Sequence, residues 1–239
     1  MVRAGWTVIL AVCVAGCQLV DSRGTVSAPT SESSVKPGIN AEYLKPDLDP
    51  SKWVERFEKE GREIFDRRHE IIAAARIRRG AVVADIGAGT GLFTPMLSRG
   101  VGGAGTVYAV DIVPAFVRLI EERSKKDGLS NVVTVLCTER SVELPRHSVD
   151  LAFICDVYHH FEYPRNSLAS LHQALRWNGE LFLIDFKRIP GVSSDWILNH
   201  VRAGQETVIA EFEAAGFRKV EEMDLLKDNY VLRFRKVGH

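Results

Sequence analysis

The sequence predicts an α/β fold in which a doubly wound, mostly parallel sheet of seven strands carries helices on both faces and an antiparallel edge at its C-terminal end. Two observations support this fold class. After Gly80, short runs of Val, Ile, Leu and Phe alternate with amphipathic segments of helical period. The last two apolar runs follow each other without a helical segment between them, which predicts the antiparallel edge.

The predicted elements follow in order along the chain. Residues 51–77 have apolar side chains at spacings of three and four, which predicts one or two helices beginning near Pro50. The strands then read AVVADI, TVYAV, VVTVL, VDLAFIC and ELFLIDF, followed by FRKVEEM and YVLRFR. A helix opens near Gly91, and later helices read PAFVRLIEERSKK, SLASLHQALRW and ETVIAEFEAAG. These elements form one domain over residues 51–239.

The charge balance limits the classes of partner. The 31 basic residues of the 239-residue chain cancel its 31 acidic residues, so no overall field attracts it to nucleic acid. We therefore expect no nucleic-acid partner. Cys137 and Cys155 lie in apolar runs and are interpreted as packing residues, with neither a disulfide framework nor metal-ligand spacing.

The N-terminus has the features of an export signal. Arg3 precedes an apolar run from Trp6 to Gly16 that is too short to span a bilayer comfortably. Val14-Ala15-Gly16-Cys17 resembles the lipobox of bacterial lipoproteins, which implies lipidation of Cys17 and attachment to a membrane of the cell envelope. An uncleaved anchor or a misassigned start codon is the alternative, and an unused signal would leave the protein in the cytoplasm. Residues 18–50 are rich in Ser, Thr, Pro and Gly and read as a flexible linker.

The turn after the first strand is rich in glycine. VVADIGAGTGLF places Gly87, Gly89 and Gly91 at alternating positions, where backbone without Cβ atoms takes positive φ and lets a ligand approach. The helix that follows offers free N–H groups to an anion. A dinucleotide site prefers G-x-G-x-x-G, and Leu92 stands at the position of its third glycine, which disfavours an NAD-dependent oxidoreductase.

This stretch is similar to the first motif of the class I S-adenosylmethionine-dependent methyltransferases, which have a Rossmann-like fold. The resemblance implies S-adenosyl-L-methionine as the cofactor. It also implies contacts to the cofactor from the first strand and its turn, through Asp85, Gly87, Ala88, Gly89 and Gly91. A tight turn in another α/β protein is the alternative for this motif alone.

The ends of the next two strands supply further cofactor candidates. Asp111 ends the second strand, where a carboxylate accepts hydrogen bonds from ribose hydroxyls; dinucleotide enzymes place an acid there too. The resemblance makes Ile112 a hydrophobic lid on the adenine, with packing under the helix as the alternative. Glu139 follows the third strand where the family has an acid near the adenine, although an exposed loop glutamate is equally compatible.

The fourth strand ends in candidates for chemistry. DVYHHF resembles the corresponding family segment, which places Asp156, Tyr158, His159 and His160 at the mouth of the cofactor site. Methyl transfer depends on in-line alignment, and a histidine with an ordinary pKa near 6.5 suits the removal of a proton from a hydroxyl or acidic carbon. His159, His160 and Tyr158 are therefore the catalytic candidates, and His160 has an ordering role in the loop as its alternative. No metal is expected, because adjacent histidines in an extended segment point to opposite sides.

The remaining motifs indicate the class of acceptor. VYHHF and LIDFKR look like the small-molecule branch related to quinone-biosynthesis methyltransferases, which implies O- or C-methylation of a small acceptor. Trp177-Asn178-Gly179 resembles the family's turn before the fifth strand. Weaker substrate candidates, each compatible with a solvated or packing role, are Tyr43, Arg62, Asp185, Lys187, Trp196, His200 and Arg202.

Two other functions stay open. A non-catalytic lipoprotein that binds a nucleoside-type ligand would also keep Asp85, the glycines and Asp111. It would avoid the conflict between export and a cofactor made in the cytoplasm. An NAD-dependent oxidoreductase is the other alternative and is disfavoured by Leu92.

Overall fold

The computed structural model describes residues 32–238, and a compact unit begins at Ser33. The predicted signal peptide and lipobox at residues 1–17 lie outside the described residues. So does the part of the predicted linker that precedes residue 32. Within the part of the chain that the structure describes, no helix combines the length and the apolar character needed to cross a membrane.

The part of the predicted linker that is described does not behave as a free linker. Residues 33–49 pack against the domain, where the backbone N–H of Val35 donates to the carbonyl of Glu162 at 2.9 Å. The Tyr43 ring lies 4.4 Å from the Trp53 ring, centroid to centroid. The composition predicted a linker because Ser, Pro and Gly dominate, but these contacts fix the segment. The structure therefore moves the start of the domain to about residue 33.

The elements have the following bounds. The helices are α1 (Pro50–Phe57), α2 (Glu63–Asp66), α3 (Arg68–Ala75), α4 (Thr94–Val101), α5 (Pro114–Lys126), α6 (Pro164–Ala174), α7 (Asp195–His200) and α8 (Gln205–Ala214). The strands are β1 (Val82–Ile86), β2 (Thr106–Asp111), β3 (Val132–Leu136), β4 (Val149–Cys155), β5 (Leu175–Phe186), β6 (Phe217–Met223) and β7 (Asn229–Lys236). A 3₁₀ turn occupies Tyr158–His160.

The seven strands form one sheet in the order β3-β2-β1-β4-β5-β7-β6. Neighbours from β3 to β5 are parallel, and β7 runs antiparallel to both β5 and β6. This confirms the predicted fold class, a Rossmann-like sheet with an antiparallel C-terminal edge. The chain leaves β1 toward β2 and leaves β4 toward β5, so the order reverses between β1 and β4. Ligands bind at the carboxyl ends of the strands at such a reversal.

Both faces of the sheet are covered by apolar cores. One contains Ile71 of α3 and Leu97 of α4, and the other contains Leu168 of α6 and Phe212 of α8, each at most 1% exposed. Residues Val83–Ile86 are all buried, since successive side chains of β1 point into opposite cores. Each fully buried side chain of this kind contributes about 1.5–3 kcal/mol. The packing explains why β1 reads as a continuous apolar run.

The N-terminal helical region differs from its prediction. One or two helices are expected over residues 51–77, and the structure has three short ones, α1 to α3. Gly61 lies between α1 and α2 with φ of 86°. Arg76 ends α3 in the left-handed conformation, with φ of 52°. The apolar spacing continues across these breaks because each of the three helices buries apolar side chains.

The predicted turn at Asn178 lies inside a strand instead. The pairing of β4 with β5 moves from Val149 opposite Leu175 to Leu151 opposite Glu180, so β5 contains additional residues over this interval. Asn178 has a φ of 59°, as turn chemistry requires. The local conformation was thus predicted, but the residues form a bulge that interrupts the ladder of β5.

Candidate active site

A cavity of about 600 Å³ opens at the carboxyl ends of β1, β2 and β4, a size typical of ligand sites. It is lined by ten of the twelve side chains and backbone positions proposed from the sequence, namely Asp85, Gly87, Ala88, Gly89, Asp111, Ile112, Glu139, Asp156, His159 and His160. Gly91 and Tyr158 do not line it. The structure therefore brings ten of the predicted site residues together in one cavity and leaves two outside its lining.

The glycine loop has two kinds of glycine. A Cβ atom on Gly87 would lie 2.3 Å from Cγ2 of Val157, and one on Gly91 would lie 2.9 Å from Cγ1 of Ile120. At Gly89 the nearest side-chain atom would be 3.8 Å away, and φ is 57°. All three glycines have a positive φ, and Gly87 and Gly91 in addition leave no room for a Cβ atom, whereas Gly89 does. Gly91 packs against Ile120 of α5 and does not line the cavity, and its contact with the cofactor stays a prediction.

Asp111 joins two loops of the cavity wall. Its Oδ2 accepts a hydrogen bond from the Gly89 N–H at 2.8 Å, and its Oδ1 accepts one from the Val113 N–H at 2.8 Å. Each carboxylate oxygen has a second lone pair, so both remain able to accept from a hydroxyl. Burial raises the pKa of Asp111 to about 6, an effect that outweighs the lowering of the pKa by these hydrogen bonds. The residue therefore positions the glycine loop and offers an acceptor at the cavity.

Two more buried carboxyl groups line the cavity. Asp85 accepts from the Thr94 hydroxyl at 2.7 Å, and burial raises the pKa of Asp85 to about 7. Asp156 pairs with Nη2 of Arg62 at 2.6 Å and accepts from the Asn229 amide. Burial raises the pKa of Asp156 to about 6, an effect that outweighs the opposing charge of Arg62. The cavity thus concentrates carboxyl groups that a cationic ligand would stabilise in their ionised form.

The 3₁₀ turn after β4 brings histidines to another part of the cavity wall. The Nδ1 atom of His159 lies 2.7 Å from Oδ1 of Asp185, and the His159 backbone N–H donates to Oδ2 at 2.9 Å. Both side chains are almost fully buried, at 4% and 2% exposure. A carboxylate only accepts, so this contact assigns the proton to Nδ1 and leaves Nε2 with a free lone pair.

A third histidine reaches this region from α7. Nε2 of His160 lies 3.3 Å from Nε2 of His200, whose ring stacks on Trp196 with centroids 4.6 Å apart. Burial lowers the pKa of His160 to about 2 and that of His200 to about 4. Both imidazoles are therefore neutral at physiological pH. Trp196 and His200, two of the weaker substrate candidates, also line the cavity.

Tyr158 does not lie at the mouth of the site. Its side chain is fully buried, and its hydroxyl donates to Oε2 of Glu211 at 2.6 Å. The sequence interpretation assumed an extended segment, but successive side chains of a 3₁₀ turn are about 120° apart, since it has about three residues per turn. Tyr158 consequently points into the core, which corrects its place among the catalytic candidates. The same assumption was the reason for expecting no metal, and it does not hold for His159 and His160.

The weaker substrate candidates separate into two groups. Tyr43 and Arg62 line the cavity, whereas Lys187 donates to the Leu226 carbonyl at 2.8 Å and does not. Arg202 forms an ion pair with a glutamate of α8 instead. Asp185 acts through His159 rather than facing the cavity. Several residues that line the cavity were not among the candidates from the sequence, including Asn40, Phe57, Thr138, Phe161 and Phe186.

Comparison with known proteins shows which family and which solved structures this chain resembles. A family described as "Methyltransferase domain" matches residues 84–183, the stretch from β1 into β5 that contains the glycine loop and both histidines of the 3₁₀ turn. This stretch is therefore similar to the methyltransferase domains of that family. The crystal structure of a SAM dependent methyltransferase from Aquifex aeolicus superimposes with a TM-score of 0.71 at 28% identity. That likeness covers 80% of this chain and 100% of the other.

Curated relatives point in the same direction. A protein of Erwinia tasmaniensis named ubiquinone/menaquinone biosynthesis C-methyltransferase UbiE is 29% identical over 118 residues, 49% of this chain and 47% of the relative. A protein of the same name from Hydrogenovibrio crunogenus is 27% identical over 124 residues, 52% of this chain and 48% of the relative. The chain spans about half the length of the curated relatives it matches. Together with the fold, these matches support the predicted enzyme class, an S-adenosylmethionine-dependent methyltransferase.

Proposed function

We propose that this chain transfers a methyl group from S-adenosyl-L-methionine to a small-molecule acceptor, at an oxygen or a carbon atom. The observation that carries the proposal is that one cavity is lined both by the glycine loop and by His159, whose imidazole is held by Asp185. A ligand loop and an oriented proton acceptor in one cavity are the parts that such a transfer uses.

The charge of the cavity supports this cofactor. S-adenosylmethionine has a sulfonium and an ammonium group against a single carboxylate, so its net charge is positive. Asp85, Asp111 and Asp156 line the cavity, and their ionised forms compensate that charge. Gly89 supplies a stretch of wall without a side chain beside Asp111. The cofactor supplies the methyl group, and these residues hold and orient it.

His159 is the group in the cavity that is best arranged to receive a proton. Asp185 fixes its ring and its tautomer, so Nε2 is available to a hydroxyl or an acidic carbon of the acceptor. Asp185 is a positioning residue, because it touches His159 and does not line the cavity. General-base assistance of this kind typically contributes about 10²–10⁴-fold to a rate.

Aromatic side chains indicate an apolar acceptor. Tyr43, Phe57, Phe161, Phe186 and Trp196 all line the cavity. The Phe186 ring lies 5.5 Å from the His159 ring, so part of this aromatic surface borders the proposed base. Flat, apolar molecules bury well against such surfaces. The named activity of the curated relatives makes quinones and phenols the first acceptors to test.

The test begins with calorimetric titration of the full chain with S-adenosylmethionine, S-adenosylhomocysteine and NAD in parallel. We expect micromolar binding of the first two and none of NAD. Turnover is then measured with radiolabelled S-adenosylmethionine and a panel of quinones and phenols. Binding without turnover on any acceptor class would favour a non-catalytic ligand-binding protein, and binding of NAD alone would favour an oxidoreductase.

We further propose that lipidated Cys17 attaches the enzyme to a membrane of the bacterial cell envelope. The support is the sequence of residues 1–17, which lies outside the described residues. Incorporation of labelled fatty acid in cells, compared between the natural chain and Cys17→Ser, tests it. Equal labelling of the two chains would contradict lipidation at this residue.

A further inference from the structure

His159, His160 and His200 bring three imidazole rings together. The centroids of the His159 and His160 rings are 4.4 Å apart, and those of His159 and His200 are 5.2 Å apart. One nitrogen of each ring lies within 4.8 Å of the nitrogens of the other two. Two of these residues are adjacent in the 3₁₀ turn and the third comes from α7, forty residues beyond His160.

We propose that these three histidines bind one divalent transition-metal ion of the class that imidazole ligands prefer, represented by Zn²⁺ and Co²⁺. The proposal goes beyond the methyltransferase activity and does not depend on it. The site would join the end of β4 to α7, at the side of the cavity where the acceptor is expected.

The spacing suits such an ion after a small adjustment. Zinc–nitrogen bonds of about 2.0–2.1 Å in a tetrahedral site place two ligand nitrogens about 3.4 Å apart. The Nε2 atoms of His160 and His200 are already 3.3 Å apart. Because all ligand atoms lie within 4.8 Å of one another, the remaining separations close by at most about 1.4 Å.

The surroundings of the rings are those of metal ligands. His159 contacts Asp185 through Nδ1, and a carboxylate on the far nitrogen is the usual support of a metal-bound histidine. Trp196 orients the ring of His200 by stacking.

Of the charged groups near the three histidines, one favours a bound cation and one opposes it. The Asp185 carboxylate favours a cation in this cluster, and Lys36 opposes it because its ammonium group donates to the carbonyls of Asn199 and His200. Three neutral imidazoles leave the ion its full positive charge. A fourth position stays open to a water or an acceptor oxygen, whose pKa the ion would lower. In the metal-bound protein Nε2 of His159 would be a ligand and not the proton acceptor, and a hydroxide on the open position of the ion would take that role.

The experiment measures metal binding without any enzyme assay. The full chain is stripped with chelator and titrated with Co²⁺, with visible absorption as the readout, and with Zn²⁺ by calorimetry. We expect one equivalent to bind and the absorption of a tetrahedral cobalt site to appear. His200→Ala is expected to weaken binding at least tenfold, and Asp185→Asn to weaken it about 10–100-fold.

The matched control is His147→Ala, which removes an exposed histidine that stacks on Trp177 and does not line the cavity. It should bind the metal like the natural chain. Equal affinity of His147→Ala and His200→Ala, or no stoichiometric binding by the natural chain, would overturn the proposal and leave a hydrogen-bonded histidine cluster. Circular dichroism checks that each variant folds. Because the cofactor titration is separate, failure of this site and failure of the methyltransferase proposal are distinguishable.

Discussion

Affinity for S-adenosylmethionine should rise with pH between about 5 and 7 because Asp111 must be ionised to bind it. Burial raises the pKa of Asp111 in the ligand-free protein to about 6. The protonated form neither attracts the cationic cofactor nor offers two acceptor oxygens to ribose hydroxyls. A group with a raised pKa is protonated below it, so affinity is lost as the pH falls. At pH 5, one unit below the pKa, Asp111 alone weakens binding about tenfold, or about 1.4 kcal/mol, relative to pH 8.

Calorimetric titrations of the full chain at pH 5, 6, 7 and 8 measure this dependence. Asp111→Asn removes the titrating group, so its affinity should be lower at pH 8 and should lose about tenfold less between pH 8 and pH 5. Its amide nitrogen would face one of the two backbone N–H groups, so thermal unfolding must verify that the fold is kept. Asp127→Asn, an exposed acid at the end of α5, is the control. The same pH dependence in Asp111→Asn and the natural chain would refute the reasoning.

Three further predictions concern single side chains. His159→Ala should lower turnover by about 10²-fold or more with little change in cofactor affinity, whereas an equal loss in binding would make it a binding residue. Gly87→Ala should lower the free energy of unfolding by about 1–3 kcal/mol more than Gly38→Ala, measured by chemical denaturation, because only the first added Cβ meets another side chain. Tyr158→Phe removes one hydrogen bond to Glu211, which keeps its two from Arg202, and should cost about 0.5–1.5 kcal/mol of stability, while calorimetry shows unchanged cofactor affinity.

The sheet was predictable from the sequence because its strands are buried on both faces. β1 and β4 read as nearly continuous apolar runs for that reason, interrupted by one aspartate each, and their short length between amphipathic helices favours strands. The additional residues around Asn178 were not predictable, since a turn before a strand and a bulge within it use the same positive φ. The ends of helices at Gly61 and Arg76 were not predictable, because the helical spacing of apolar residues continues across both positions.

The cofactor side of the site was predictable because its residues are local to strand ends. Gly89 and Asp111 each follow directly from a buried strand, so the topology alone places them together. The contact between His159 and Asp185 joins residues 26 positions apart. No pattern in the sequence predicts that these two side chains are in contact. Tyr158 was misplaced because the local conformation after β4, a 3₁₀ turn, decides which side chain faces the cavity.

The parts of the cavity that come from outside the matched domain explain how one cofactor site can serve different acceptors. Tyr43 and Phe57 precede residue 84, while Trp196 and His200 follow residue 183, and all four line the cavity. The glycine loop and Asp111 lie inside the matched stretch. We therefore expect these four residues, rather than the glycine loop, to set acceptor selectivity. Substitutions at Trp196 should change which acceptors are used more than they change affinity for S-adenosylmethionine, since that ring borders His200 and Phe186.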